Sequence, residues 1–227
     1  MGVALGYFLF HFIQPLPGVA ECPKLIDTFP NRVDPSPNDP SARAGYTLSR
    51  TGQVIYLLFD SRVYAPTLGS LQVRELRANG AYGDTNLGGL FNVSVELDPG
   101  GEPNMLKVVP ATPGSRPLTE RTWYSASALV RGSSASDCPF ALKFLNLPGD
   151  ANNDWRVNAN DLSFVNSRIA PRPGVPWDWN DTIAQQRYRS NVNADNFVNA
   201  NDLSAVNSRI HPLAVPVPSG HTPGIQK

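Results

Sequence analysis

The chain has 227 residues, and Lys+Arg and Asp+Glu balance at 19 each, so no basic field exists to draw it to nucleic acid or an anionic lipid surface. That length accommodates one medium domain plus a small one. Only 17% of residues are charged while Pro (22) and Gly (18) are frequent, a balance that favours strands and turns over long surface helices.

The chain opens MGVALGYFLFHFIQPLPGVA. Its apolar run from Val3 to Ile13 is too short to cross a bilayer, so no membrane span is expected in the mature chain. The run suits the core of a secretory signal over residues 1–20, with Gly18 and Ala20 as a small-x-small cleavage site, although no Lys or Arg precedes it. The competing reading is a buried N-terminal strand. No lipid attachment motif is expected, because Glu21 precedes Cys22 where a small residue would be needed. Export would place the protein outside the cell or on its surface, and would make a disulfide between the only two cysteines, Cys22 and Cys138, the expected state. The alternative is two unpaired buried thiols.

Residues 21–147 read as an all-β unit. Gln53-Val-Ile-Tyr-Leu-Leu-Phe-Asp60 is a strong strand, and Phe91, Val93, Val95 and Leu97 alternate onto one face. Further strands are expected over 71–76, 105–109, 122–130 and 140–147. The turn clusters Asn79-Gly-Ala-Tyr-Gly-Asp84, Pro99-Gly-Gly and Pro113-Gly fall between strands. About seven short strands with regular turns predict an antiparallel β-sandwich. Val33-Asp-Pro-Ser-Pro-Asn-Asp, Val54 to Val63, and Val108-Val-Pro-Ala-Thr-Pro with Leu118 and Thr122-Trp-Tyr124 resemble a bacterial Ig-like domain. The resemblance implies a spacer or adhesion sandwich without catalysis. A different use of the same sandwich is polysaccharide binding through Tyr56, Tyr64, Tyr82 or Trp123, although sandwich aromatics are more often core.

The character changes after Leu147-Pro-Gly, which sets the domain boundary. Asp150, Asn152, Asp154, Asn158 and Asp161 occupy positions 1, 3, 5, 9 and 12 of a twelve-residue window, the oxygen-ligand spacing of an EF-hand-type calcium loop. Asn191, Asn193, Asp195, Asn199 and Asp202 repeat it. VNANDLSFVNSRI (157–169) returns as VNANDLSAVNSRI (198–210), with Phe164/Ala205 the sole difference. Calcium is a hard cation that takes six to eight oxygens, and short Asp and Asn side chains at alternate positions supply them. Position 7 supplies a backbone carbonyl, here from Arg156 and Phe197. Asx-rich runs are otherwise turns, but two copies in register, each with the same helix behind, favour metal.

Leu162, Val165 and Ile169, and Leu203, Val206 and Ile210, give each following helix an apolar face; two such short helices are expected to pack together. Position 8, Val157 or Val198, can couple the loops. A third helix, Thr182 to Arg189, is expected between them with Asn180 or Asp181 as its cap. The tail over 213–227 is Pro-rich and expected to be flexible.

The paired loop-then-helix segments, Gly149-Asp150-x-Asn152-x-Asp154-x-x-Val157-Asn158-x-x-Asp161-Leu162 and its copy to Leu203, are similar to the type I dockerin domain, over residues 148–212. The resemblance implies a small all-α domain that binds two Ca2+ and docks its host onto a cohesin domain, often in extracellular assemblies for polysaccharide catabolism. It maps the partner surface to Ala159, Asn160, Ser167 and Arg168 and to Ala200, Asn201, Ser208 and Arg209. Two departures matter. Position 6, usually a glycine at positive φ, is Trp155 and Asn196. Position 1 of the second loop is Asn191, which leaves that loop two carboxylates against three in the first and predicts weaker calcium binding there.

The histidines, His11, His211 and His221, fall in the signal or the tail, so no Ser-His-Asp triad or histidine zinc site is expected in the body. Glu75, Glu96, Glu102 and Glu120 form no glycosidase motif. The expectation is a secreted, non-catalytic docking protein; the alternatives are a carbohydrate-binding protein and a calcium-stabilised surface or adhesion protein.

Overall fold

The computed structural model describes residues 22–29, 47–48, 50–64, 70–98, 100–132, 137–169, 182–220 and 224–226. The expected signal over 1–20 and the caps Asn180 and Asp181 lie outside the described residues.

Among the described residues the strands of the β unit are β1 (Leu25–Phe29), β2 (Thr47–Leu48), β3 (Ile55–Phe59), β4 (Gln72–Leu76), β5 (Phe91–Glu96), β6 (Met105–Pro110), β7 (Thr122–Arg131) and β8 (Asp137–Asn146). Six of them, β3 to β8, fall where the period-two runs place them, and two, β1 and β2, lie outside the expected runs. One sheet runs β1-β3-β6-β5 and the other β2-β8-β7-β4. Both sheets send side chains into one core: Ile55, Leu57, Phe59, Leu106 and Val108 from the first, Val73, Tyr124, Val130, Leu142 and Phe144 from the second. In β3 the burial alternates residue by residue, as a strand with one face on a core must. Two expectations are corrected. Leu97 does not continue the β5 face; it lies past the strand end and is exposed. The pairing is not antiparallel throughout, because β2 lies parallel to β8, in a register of Thr47 with Leu145 and Leu48 with Asn146.

Cys22 and Cys138 form a disulfide with Cα atoms 5.5 Å apart and a sequence separation of 116. It ties the segment just before β1 to β8. In the chain-entropy view such a closure is worth about 4–5 kcal/mol.

Among the described residues three helices follow: α1 (Ala159–Asn166), α2 (Thr182–Ser190) and α3 (Ala200–Asn207). α1 and α3 adjoin each other. Val165 and Val206 are fully buried and Leu162 and Leu203 pack beside them. Ile169 and Ile210 do not complete the expected faces. Each helix ends first, capped at Ser167 or Ser208, and leaves the isoleucine 42% or 45% exposed.

The two parts of the chain share a second core. Leu76, Trp123, Leu145 and Leu147 of the β unit are buried with Ala151, Val157, Val165, Val192, Val198 and Val206. The link is therefore not a free hinge. Leu147, Pro148 and Gly149 are all buried, and Gly149 takes φ +103°, where a Cβ would stand 3.1 Å from Val157 Cγ1.

The C-terminal segment departs from the expected flexible tail. His211 N donates to the Val157 carbonyl at 2.9 Å, so His211 belongs to the folded body. Val215 is buried in the shared core, Trp123 Nε1 donates to the Pro216 carbonyl at 3.0 Å, and β9 (Gly224–Gln226) pairs antiparallel with β8. The segment has apolar residues between its prolines, and an open edge of β8 to pair with.

Candidate metal centre

The two loops are built alike, and the reason is local. Asn158 and Asn199 are the N-caps of α1 and α3. Each Oδ1 accepts from the amide two residues on, Asn160 N or Asn201 N, at 2.7 Å. The third helical residue, Asp161 or Asp202, reaches back to the cap amide at 2.9 Å. Asn-x-x-Asp is thus a reciprocal capping box. It orients the position-12 carboxylate by the same contacts that start the helix, and this signal is legible in the sequence.

The other carboxylate oxygen closes the loop. Asp161 Oδ1 accepts from Ala151 N at 2.9 Å and Asn152 N at 3.2 Å; Asp202 Oδ1 accepts from Asn193 N at 3.2 Å. Position 1 holds the turn between. Asp150 Oδ1 accepts from Asp154 N at 3.0 Å and Oδ2 from Trp155 N at 3.1 Å. Asn191 Oδ1 accepts from Asp195 N at 3.1 Å. Position 5 accepts from position 7, Arg156 N or Phe197 N. The side chains of Asp150, Asn152, Asp154, Asn158 and Asp161, and those of their copies in the second loop, are thereby tied to each loop's own backbone amides. Positions 4 and 6 both lie at positive φ: Asn153 65° and Trp155 65°, Ala194 66° and Asn196 71°. The expected left-handed bend at position 6 is therefore present even with tryptophan there.

Burial sets the electrostatics. Asp150, Asp161 and Asp202 are fully buried. Desolvation pushes the Asp161 carboxyl up to about 6 against its three amide donors, and the Asp154 charge adds to the rise. Asp202 is raised for the same reason, opposed by its amide donors and assisted by Asp195. Buried hard oxygens whose ionised form is disfavoured are a donor set that a divalent cation would satisfy. Among the described residues no three His, Cys, Asp or Glu side chains stand together as a metal cluster; a metal held here would need asparagine and main-chain oxygens as well, a donor set suited to calcium and not to zinc.

Three contacts around the loops were not legible in the sequence. The Arg50–Thr51 turn of the β unit clasps the second loop: Arg50 Nε donates to the Asn191 carbonyl at 3.0 Å, Thr51 N to Val192 O at 2.9 Å, and Thr51 Oγ1 to Asn193 O at 3.2 Å. Burial pushes Arg50 down to about 10, while Tyr56, Asp202 and Asp195 pull it up. Arg189 is likewise lowered to about 10 by burial, with Asp150 opposing the fall and Arg168 adding to it. No periodicity or motif flags either arginine.

The predicted partner residues are mostly on the surface. Ala159, Asn160, Ser167, Ala200, Asn201 and Ser208 are exposed, and Arg168 and Arg209 are half-buried. The two arginines differ. The Arg168 guanidinium lies 3.5 Å from the Phe164 ring centroid and donates to Gln186 Oε1 of α2. Arg209, with Ala205 in place of that ring, reaches Glu120 of the β unit with Nε and Nη2 at 3.1–3.2 Å. The single difference between segments 157–169 and 198–210 thus coincides with a different partner for each arginine. Between α1 and α3 lies an open groove lined by Leu162, Ser163, Asn166, Leu203, Ser204 and Asn207.

The loops and helices define a duplicated loop-helix module, with Asp and Asn side chains hydrogen-bonded to the loop backbone in each half. Residues 148–211 match the family model of the dockerin type I domain, so the C-terminal part of the chain carries a dockerin domain preceded by a β-rich region. No curated protein matches the chain.

Proposed function

We propose that the chain is a secreted, non-catalytic protein in which an Ig-like β-sandwich precedes a dockerin module with two EF-hand-type Ca2+ loops. The module docks onto a cohesin-type domain of another extracellular protein, in an assembly that degrades polysaccharide. The observation that carries this reading is the like closure of both loops by Asp161 and Asp202, each of which completes the capping box of its helix and stands at position 12 of its loop. The dockerin match over the same residues supports it. Asp150, Asn152, Asp154, Asn158 and Asp161, with the Arg156 carbonyl, would hold one Ca2+; Asn191, Asn193, Asp195, Asn199 and Asp202, with the Phe197 carbonyl, the other. Calcium supplies charge neutralisation at buried carboxylates, so docking depends on it through the helices those carboxylates cap.

The test is capture of the full chain on a panel of immobilised type I cohesin modules, in calcium and in EGTA. Retention in calcium that is lost in EGTA and in an Asp161→Ala/Asp202→Ala double variant is expected. Silence across the panel, or retention unaffected by EGTA, refutes docking.

One observation favours a second reading. The outer face of the β8-β7-β4 sheet carries a hollow of about 330 Å³ lined by Gln72, Arg74, Tyr82, Ser125, Ser127 and Ala141, with Tyr82 49% exposed at its side. An aromatic ring beside polar side chains suits a sugar face. Glycan retention by the full chain that Tyr82→Ala abolishes would establish it.

A further inference from the structure

The two loops carry unequal charge and are held unequally by the β unit. In the second loop the carbonyls of Asn191, Val192 and Asn193, positions 1 to 3, accept in turn from Arg50 Nε, Thr51 N and Thr51 Oγ1. The Arg50 guanidinium is fixed in place: its Cζ lies 3.7 Å from the centroid of the Tyr188 ring at the end of α2. Its charge is within Coulombic reach of Asp195 and Asp202, the two carboxylates of that loop. Gly52 continues the contact, where a Cβ would meet Ala194 Cβ at 3.5 Å. Position 1, moreover, is the neutral Asn191 and not a carboxylate.

We infer that the Arg50–Thr51 turn takes over part of calcium's work in the second loop. Arg50 is a built-in counter-charge that keeps this loop folded without metal and sets its calcium affinity below that of the first. The inference rests on the calcium reading above. A fixed cation beside two carboxylates neutralises part of the charge that would hold the metal, and ligand charge is what tunes such loops over orders of magnitude. The Thr51 bonds to main-chain carbonyls order the loop without changing its charge, so the two residues have separable effects.

The experiment is calorimetric Ca2+ titration of the full chain, with thermal melts in EGTA, for wild type, Arg50→Gln, Arg50→Lys and Thr51→Val. Asp202→Ala identifies the second loop's site as the binding event it removes. Arg50→Gln is expected to tighten that site by about tenfold and to lower the melting temperature in EGTA. Arg50→Lys, which keeps the charge but not the planar fork, stays near the wild-type affinity. Thr51→Val lowers the melting temperature in EGTA without tightening the site. An Arg50→Gln site that is unchanged or weaker, or tightening confined to the event that survives Asp202→Ala, overturns the inference alone. Absence of any calcium binding by the wild type overturns the calcium reading and the inference with it.

Discussion

The indole of Trp155 meets the indole of Trp123 edge-on, with ring centroids 5.6 Å apart and planes at 84°. Trp155 sits at position 6 of the first loop with φ +65°, a conformation costing a non-glycine residue about 1–2 kcal/mol. Trp123 is a β7 residue, 3% exposed, in the core that the two parts of the chain share. The strain in the loop is thus offset by a contact with the β unit. Trp155→Gly relieves the backbone but removes an aromatic pair worth about 0.5–1.5 kcal/mol beyond its burial. The variant is expected to lose roughly 1–2 kcal/mol net, and Trp123→Ala about 3–5 kcal/mol. Denaturant unfolding checks both, and the double variant should lose less than the sum because the residues touch. A Trp155→Gly chain more stable than wild type would refute this account.

Because Leu76, Trp123, Leu145 and Leu147 are buried with Val157, Val165 and Val206, calcium removal should not melt the helical part alone. Full-chain melts followed by tryptophan fluorescence and by far-ultraviolet circular dichroism should stay coincident in EGTA and shift down together. At calcium a thousandfold above its dissociation constant, one site contributes about 4 kcal/mol, or on the order of 8–16 °C for a chain of this size. Two separated transitions in EGTA would show that the shared core does not couple the parts.

The metal-free chain should become less stable as pH rises through the range from about 4 to about 6. Asp161 is raised to about 6 by burial, against about 4 in an unfolded chain. Across that window the folded state holds the extra proton, so its stability falls with increasing pH, by on the order of 2 kcal/mol. Asp202 shifts in the same direction. With excess calcium the sign reverses, since the ionised carboxylates are the ligands. Melts at pH 5 and pH 7.5, with EGTA and with calcium, test the crossing. A metal-free chain equally stable at both would mean that these carboxylates are not held in the buried state described.

The period-two runs located β3 to β8 but not β1, β2 or β9, and the duplicated Asx spacing located both loops with their helices, because each pattern is set by local geometry: alternation across a sheet, and oxygen positions around a tight turn. What escaped is long-range. Arg50 and Asn191 are 141 residues apart in sequence, and Trp123 and Pro216 are 93. No local pattern encodes such meetings. Ile169 and Ile210 have the right helical spacing, but Ser167 and Ser208 end the helices before that spacing is used. The proline-rich tail reads as mobile by composition, yet Val215 and the Gly224–Gln226 strand find burial and an edge to pair with.

Reduction should weaken the β unit without removing the loops' own contacts. Cys22 and Cys138 are 116 residues apart in sequence and join the segment before β1 to β8, and opening such a loop costs about 4–5 kcal/mol in chain entropy. A Cys22→Ser/Cys138→Ser chain should unfold at correspondingly lower denaturant, while its calcium stoichiometry below the transition matches wild type. Loss of calcium binding in the folded variant would show that the bond also positions the loops.

The two candidate docking faces should not be equivalent, although their sequences nearly are. Arg168 is held over its own helix by Phe164 and by Gln186. Arg209 is held by Glu120, whose side chain is 40% exposed, and Arg121 Nη2 donates to the Leu213 carbonyl beside it at 3.2 Å. A partner that reads the α3 face through Arg209 has to displace the Glu120 carboxylate; one that reads the α1 face through Arg168 displaces nothing from the β unit. Cohesin capture, if the proposed docking holds, is therefore expected to fall more on Arg168→Ala than on Arg209→Ala. Glu120→Ala should narrow that difference while costing at most about 1 kcal/mol of stability, as a partly exposed ion pair does. Phe164→Ala should narrow it from the other side, by removing the ring that holds the Arg168 guanidinium in place. Binding assays with the four variants on the same cohesin panel decide the point, and equal losses at Arg168 and Arg209 would mean that the ion pair to Glu120 imposes no preference.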